Sequence, residues 1–103
     1  MYKLYDSTRA DEKFMVITPA GKKIHFGANG YEDFTIHENL QRKEQYIARH
    51  QKNEDWTNTG LNTAGFWSRW LLWNKPTILE SINDIDNRFN IEIEYDSYHD
   101  FSK

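Results

Sequence analysis

The chain begins with short runs in which apolar and polar side chains alternate, then passes to longer runs spaced for helices. Lys13-Phe14-Met15-Val16-Ile17-Thr18 is rich in β-forming residues. Pro19-Ala20-Gly21 follows as a turn, with proline fixing one φ angle and glycine free to take a positive one. In Lys22-Lys23-Ile24-His25-Phe26, Ile24 and Phe26 share one face and Lys23 and His25 the other, which predicts a β-hairpin. Tyr2 to Tyr5 predicts an N-terminal strand, and Asp6 to Glu12 a polar loop. Gly27-Ala28-Asn29-Gly30 ends the hairpin.

From Glu38 to Lys52 the spacing is helical. Leu40 and Ile47 predict its buried face, with Tyr46 and His50 on the flank and Arg42 and Arg49 on the opposite side. Trp56 anchors a polar loop. Thr63 is the predicted N-cap of a second helix that reaches Trp73. That helix is apolar nearly all round. Trp67, Trp70 and Leu71 form one face, Phe66 and Trp73 extend it, and only Ser68 and Arg69 interrupt. Asn74-Lys75-Pro76 stops it. Thr77 and Glu80 form a capping box for a third helix, whose stripe is Ile78, Ile82, Ile85 and Phe89. Asp84, Asp86 and Asn87 are expected to point away, and Asn90 to end the helix. Ile91 to Tyr95 alternates as a strand that joins the N-terminal sheet, and Tyr98 and Phe101 beyond it are available to dock. The predicted fold class is α+β: a small antiparallel sheet of hairpin and C-terminal strand, packed on about three helices. The 103 residues predict a single domain over positions 1–103.

Composition narrows the function classes. There is no cysteine, hence no disulfide frame, thiol nucleophile or Cys-type zinc site. A net charge of -3 argues against a general nucleic-acid coat. The charge is uneven: residues 1–79 carry 11 basic and 9 acidic side chains, residues 80–103 carry 2 and 7. The acidic end reads as a solvated helix face and tail, or as a surface for a basic partner. No apolar run approaches the roughly 18 residues of a membrane span, and no secretion signal opens the chain. Neither a membrane role nor a cofactor is expected. Sixteen aromatic residues, four of them tryptophan, are the compositional anomaly.

Three constellations carry candidate chemistry. His37, Arg42, Tyr46, Arg49, His50 and Glu54 are residue types that a metal-dependent nuclease would use, with His37, His50 and Glu54 at the metal. Around a helix, however, Arg42 and Arg49 are expected to lie away from His50, so the group does not converge. Histidines at i, i+4 are absent, and no metal site is assigned. Lys22, Lys23, Arg42, Arg49 and Lys52 are the residues of a local basic patch for nucleic acid, with Tyr31, Phe34 and Trp56 for stacking. The tryptophan helix has two readings. As core, it packs under the sheet. As core plus interface, Trp67, Arg69, Trp70 and Trp73 also meet another subunit, since Trp and Arg dominate interaction hot spots. A domain this small fully hides about two of its four tryptophans.

The stretch Thr63-Ala64-Gly65-Phe66-Trp67-Ser68-Arg69-Trp70-Leu71-Leu72-Trp73-Asn74-Lys75-Pro76-Thr77 resembles small proteins of unknown function encoded by large and giant DNA viruses of algae and protists. Lys22 to Gly27, Tyr31 to His37, Arg42-Lys43 and Arg49-His50 extend the resemblance over residues 13–89. It implies no catalytic residue. It implies a viral protein, either a virion component or an assembly factor, located in the particle or in the infected cell. The expected function is therefore non-enzymatic: a structural or assembly protein that contacts other viral proteins or itself. Nucleic-acid binding is the alternative, and a metal-dependent nuclease the third reading.

Overall fold

The computed structural model describes residues 1–96. Four strands form one sheet: β1 (Tyr2–Asp6), β2 (Glu12–Ile17), β3 (Lys23–Ala28) and β4 (Ile93–Tyr95), in the order β3-β2-β1-β4. The first three are antiparallel, with Leu4 opposite Val16 and Phe14 opposite Phe26. The C-terminal strand joins the sheet as expected but runs parallel to β1, Tyr2 pairing with Ile93, so the sheet is mixed. A parallel neighbour needs a long crossover, and the helices supply it. Tyr98, His99 and Phe101 lie outside the described residues.

Helices α1 (Phe34–His37), α2 (Leu40–His50), α3 (Ala64–Trp67) and α4 (Ile78–Phe89) accompany the sheet, giving the expected α+β fold. The short α1 is an addition to the three expected; Asp33 caps it, accepting the Thr35 N–H at 2.9 Å. Helix α2 begins at its Asn39 cap, which accepts from Arg42 N at 3.1 Å. Its buried residue is Tyr46, and Leu40 is 65% exposed. The expected Leu40–Ile47 face is thus displaced, because Leu40 is the first helical residue and precedes the packing surface. Thr63 caps α3, accepting from Phe66 N at 3.3 Å. In α4, Thr77 Oγ accepts the Glu80 N–H at 3.1 Å, which is one half of the predicted box; the Glu80 carboxylate accepts from the Thr77 hydroxyl at 2.9 Å and not from its backbone N–H. Asn90, at φ 55°, ends α4. Asp84 does not point away: it accepts from Asn74 at 2.8 Å and pairs with Arg88 at 3.2 Å.

The aromatic helix does not end at Trp67. It continues as a π turn over Ser68–Leu72, with Trp73 N–H reaching back five residues to Ser68 O at 3.2 Å. A wider turn takes an extra residue and so shifts the faces that the residues after it present. Phe66, Trp67, Trp70, Leu71 and Leu72 are consequently all buried. They meet Leu4, Val16, Ile24, Phe26 and Ile93 of the sheet and Ile82, Ile85 and Phe89 of α4 in one contiguous core. Phe89 packs 4.9 Å from the Phe66 ring and 5.4 Å from Trp70, and Tyr2 lies 5.6 Å from Trp67. Each buried indole removes about 200 Å² from water, worth about 5 kcal/mol at 25 cal/mol/Å². Both indole N–H groups are satisfied, Trp67 by Leu61 O at 2.9 Å and Trp70 by Trp56 O at 3.0 Å.

Helix and sheet approach closely at Gly27. Its φ is +80°, and a Cβ there would stand 2.8 Å from Leu72 Cδ1 and 3.3 Å from Lys13 Cβ. Gly21, in the hairpin turn at φ +91°, has open space around it. Gly27→Ala is therefore expected to cost about 2–4 kcal/mol, combining left-handed strain with overpacking, and Gly21→Ala about 1–2 kcal/mol from strain alone. Urea unfolding of the two variants checks this. Equal losses would remove the Leu72 contact from the account.

Candidate functional site

A groove of about 580 Å³ opens between the exit of the hairpin, α2 and the start of the aromatic helix. Helix α2 faces it with Arg42, Gln45, Tyr46 and Arg49, which recur at i, i+3, i+4 and i+7 and so share one face. His50 follows on the same side. The sequence expectation that Arg42 and Arg49 lie away from His50 is corrected on this point: the groove wraps far enough round α2 to take all three.

The floor is aromatic and rigid. Tyr46 stacks on Trp73 with ring centroids 4.4 Å apart and planes at 4°. His50 lies 4.4 Å beyond Tyr46, and Trp56 runs parallel at 6.4 Å. Lys43, half-buried on α2, donates to Asn74 O at 2.7 Å and ties the helix to the chain that follows Trp73. Burial, then the Arg69 and Lys75 charges, pull the Lys43 pKa down.

Apart from Tyr31, the opposite wall comes from residues that sequence reasoning missed. Lys13 Nζ donates to Tyr31 O at 2.5 Å and to Asp33 Oδ2 at 2.6 Å. Asp33 is buried, so this ion pair clamps the hairpin to the cap of α1. Such a pair contributes mainly while both partners are present, since either alone would be an uncompensated buried charge. Glu12, Tyr31 and Glu32 complete this wall, and Arg42 reaches across to Glu32 at 2.9 Å. The chain from Glu54 to Trp73 contributes Glu54, Gly65, Ser68 and Leu72.

Other predicted residues fall elsewhere. Trp67 is 0% and Trp70 8% exposed, so both belong to the core, while Trp73 and Arg69 are half-buried. Arg69 donates to Trp73 O at 2.7 Å and packs over Trp70 at 4.2 Å and Trp56 at 5.5 Å. Burial, then the Arg88 charge, lowers its pKa. Lys22 and Lys23 sit at the hairpin turn. Register places Lys23 opposite Ile17 and Ala28 opposite Glu12, so the turn is about 17 Å from the groove end of the same hairpin. Lys52 is exposed just past α2. The five basic residues therefore do not form one patch.

His37, His50 and Glu54 do not assemble either. His37 contacts Trp73 at 5.4 Å, and Trp73 and Tyr46 stand between it and His50. Its Nδ1 accepts the Asn39 N–H at 2.9 Å, which commits it to the α1–α2 junction. Among the described residues, no three His, Cys, Asp or Glu side chains are placed to hold one metal ion.

Residues 2–50 match the model of DUF5754, a family of unknown function. The match covers β1 to β3, α1 and α2, and hence the hairpin and helix walls of the groove. It stops before Glu54, the aromatic helix and the Thr63–Thr77 stretch. No curated protein and no solved structure matches the chain.

Burial, reinforced by the Glu54 charge, pushes the Tyr46 phenol up to about 12 from an ordinary 10.0. A proton held more tightly in the folded chain stabilises it below pH 10, and that contribution is lost as pH rises through about 12. The expected loss is about 2–3 kcal/mol for two pKa units. Chemical denaturation between pH 9 and 12 should show it, and Tyr46→Phe should flatten that part of the profile. An unchanged profile in the variant would place the phenol outside the buried stack.

Proposed function

We propose that the protein is a non-enzymatic structural or assembly component that works through protein–protein contact, and that the groove is its contact surface. One observation carries the reading. The rim presents Tyr31, 73% exposed, with exposed Arg42, Gln45 and Arg49, above a floor fixed by the Tyr46–Trp73 stack. Tyr and Arg contribute most to interaction hot spots, and a preformed floor reduces the ordering cost of binding.

The interspersed charges favour a polypeptide over a polyanion. Lys13, Arg42 and Arg49 share the groove with Glu12, Glu32, Asp33 and Glu54. A nucleic-acid backbone would meet four carboxylates there, with Lys22 and Lys23 out of reach. In this reading Trp67 and Trp70 support the surface from beneath, and Trp73 is the member of the aromatic helix nearest the partner. The resemblance to small proteins of large and giant DNA viruses supplies the setting: a minor virion component or assembly factor, in the particle or the infected cell, that meets other viral proteins or a second copy of itself.

A photocrosslinking amino acid in place of Tyr31, with the same group in place of Lys23 as control, tests the reading in the cell where the chain is made. A discrete adduct with one defined polypeptide is expected from position 31 and not from position 23. Arg49→Glu should reduce its yield at least about tenfold. Equal adducts from both positions, or none from position 31, would contradict it.

A further inference from the structure

The charges in the groove do not all cancel. Lys13 is held by Asp33 at 2.6 Å and Arg42 by Glu32 at 2.9 Å. Glu12, Arg49 and Glu54 have no ion-pair partner among the described residues. Arg49 is exposed at the rim, whereas Glu12 and Glu54 are half-buried in the walls. The deeper part of the groove is therefore acidic.

Two features show that this acidic part is built. Glu54 lies against Gly65, where a Cβ would fall 1.8 Å from Oε1 and 2.9 Å from Oε2, so any other residue would push the carboxylate away. Tyr46 is only 8% exposed and lines the groove, and its phenol oxygen has no hydrogen-bond partner among the described residues. A half-buried carboxylate without a counter-charge is best stabilised by a cation that also donates hydrogen bonds. A phenol oxygen can accept one such bond. Trp73, close by and half-buried, offers apolar surface for a methylene stem.

We infer that the groove receives a basic side chain, arginine or lysine, from the partner polypeptide. Its head lies among Glu54, Glu12 and the Tyr46 phenol, and its stem lies on Trp73. The inference rests on the protein-contact reading above. Arg49 at the rim repels a run of basic residues, so one basic side chain among neutral or acidic neighbours fits better than a polycation.

The test titrates the full chain with N-acetyl-arginine amide and, separately, N-acetyl-glutamate amide, following the backbone amide shifts of Gly65, Ser68 and Trp73. Saturable shifts with the arginine probe alone are expected. Glu54→Gln should raise its Kd about tenfold, the loss of one charge-assisted contact. Glu32→Gln should leave it within about twofold, because Arg42 already occupies that carboxylate. Retained dispersion of the remaining amides shows that each variant is folded. Tighter binding of the glutamate probe, or arginine binding indifferent to Glu54→Gln, would overturn the inference and leave the groove as a contact surface. No shift with either probe also overturns it. Only the further loss of the position-31 adduct would remove the contact reading as well.

Discussion

Everything on the groove side of the molecule depends on the contact between Tyr46 and Trp73. Helix α2 has eleven residues and buries one of them, Tyr46. A helix that polar has little reason to dock, and an isolated helix of this length is marginal in water. The parallel stack at 4.4 Å joins it to the aromatic helix, and the Lys43 bond to Asn74 O fixes its rotation. With rotation fixed, Arg42, Gln45 and Arg49 have no choice of direction. The charge pattern of the rim thus follows from one ring pair.

Trp73 can reach Tyr46 because of what happens one turn earlier. The π turn over Ser68–Leu72 keeps Trp70, Leu71 and Leu72 all in the core and delivers Trp73 to its outer edge. Gly27 is the matching concession in the sheet, since Leu72 occupies the space where a side chain would stand. The anomaly in composition is thereby explained. Two of the tryptophans are core, and the other two are half-buried around Tyr46 and Arg69. The acidic wall of the groove follows from a second glycine, because Gly65 leaves the space that Glu54 fills.

Local signals made most of the fold legible. The hairpin, the Thr63 and Thr77 caps, the Ile78–Phe89 stripe and the Asn90 stop all depend on neighbouring residues, and each is found. What depends on distant partners was not legible. Nothing near β4 in sequence shows whether it pairs parallel or antiparallel with β1. Leu40 matched the helical period but preceded the packing surface, so Tyr46 took its place. The groove was half legible. The polar types on α2 drew notice, but their convergence depended on how far the hairpin exit reaches round the helix. Lys13 and Asp33 lie twenty residues apart, and neither belongs to a recognisable motif. Glycines offered the missed signal: Gly27 closing a strand and Gly65 opening a helix both mark close approaches.

The central claim is that the aromatic helix is the core that positions the groove, and that its buried tryptophans are not themselves a contact face. Hydrogen exchange of the indole N–H protons in the free chain tests this most directly. With Trp67 bonded to Leu61 O and Trp70 to Trp56 O, both protons should exchange among the slowest in the molecule, at rates set by global unfolding. Exchange of either proton at the rate of a free indole, in a chain whose sheet amides remain protected, would contradict the account.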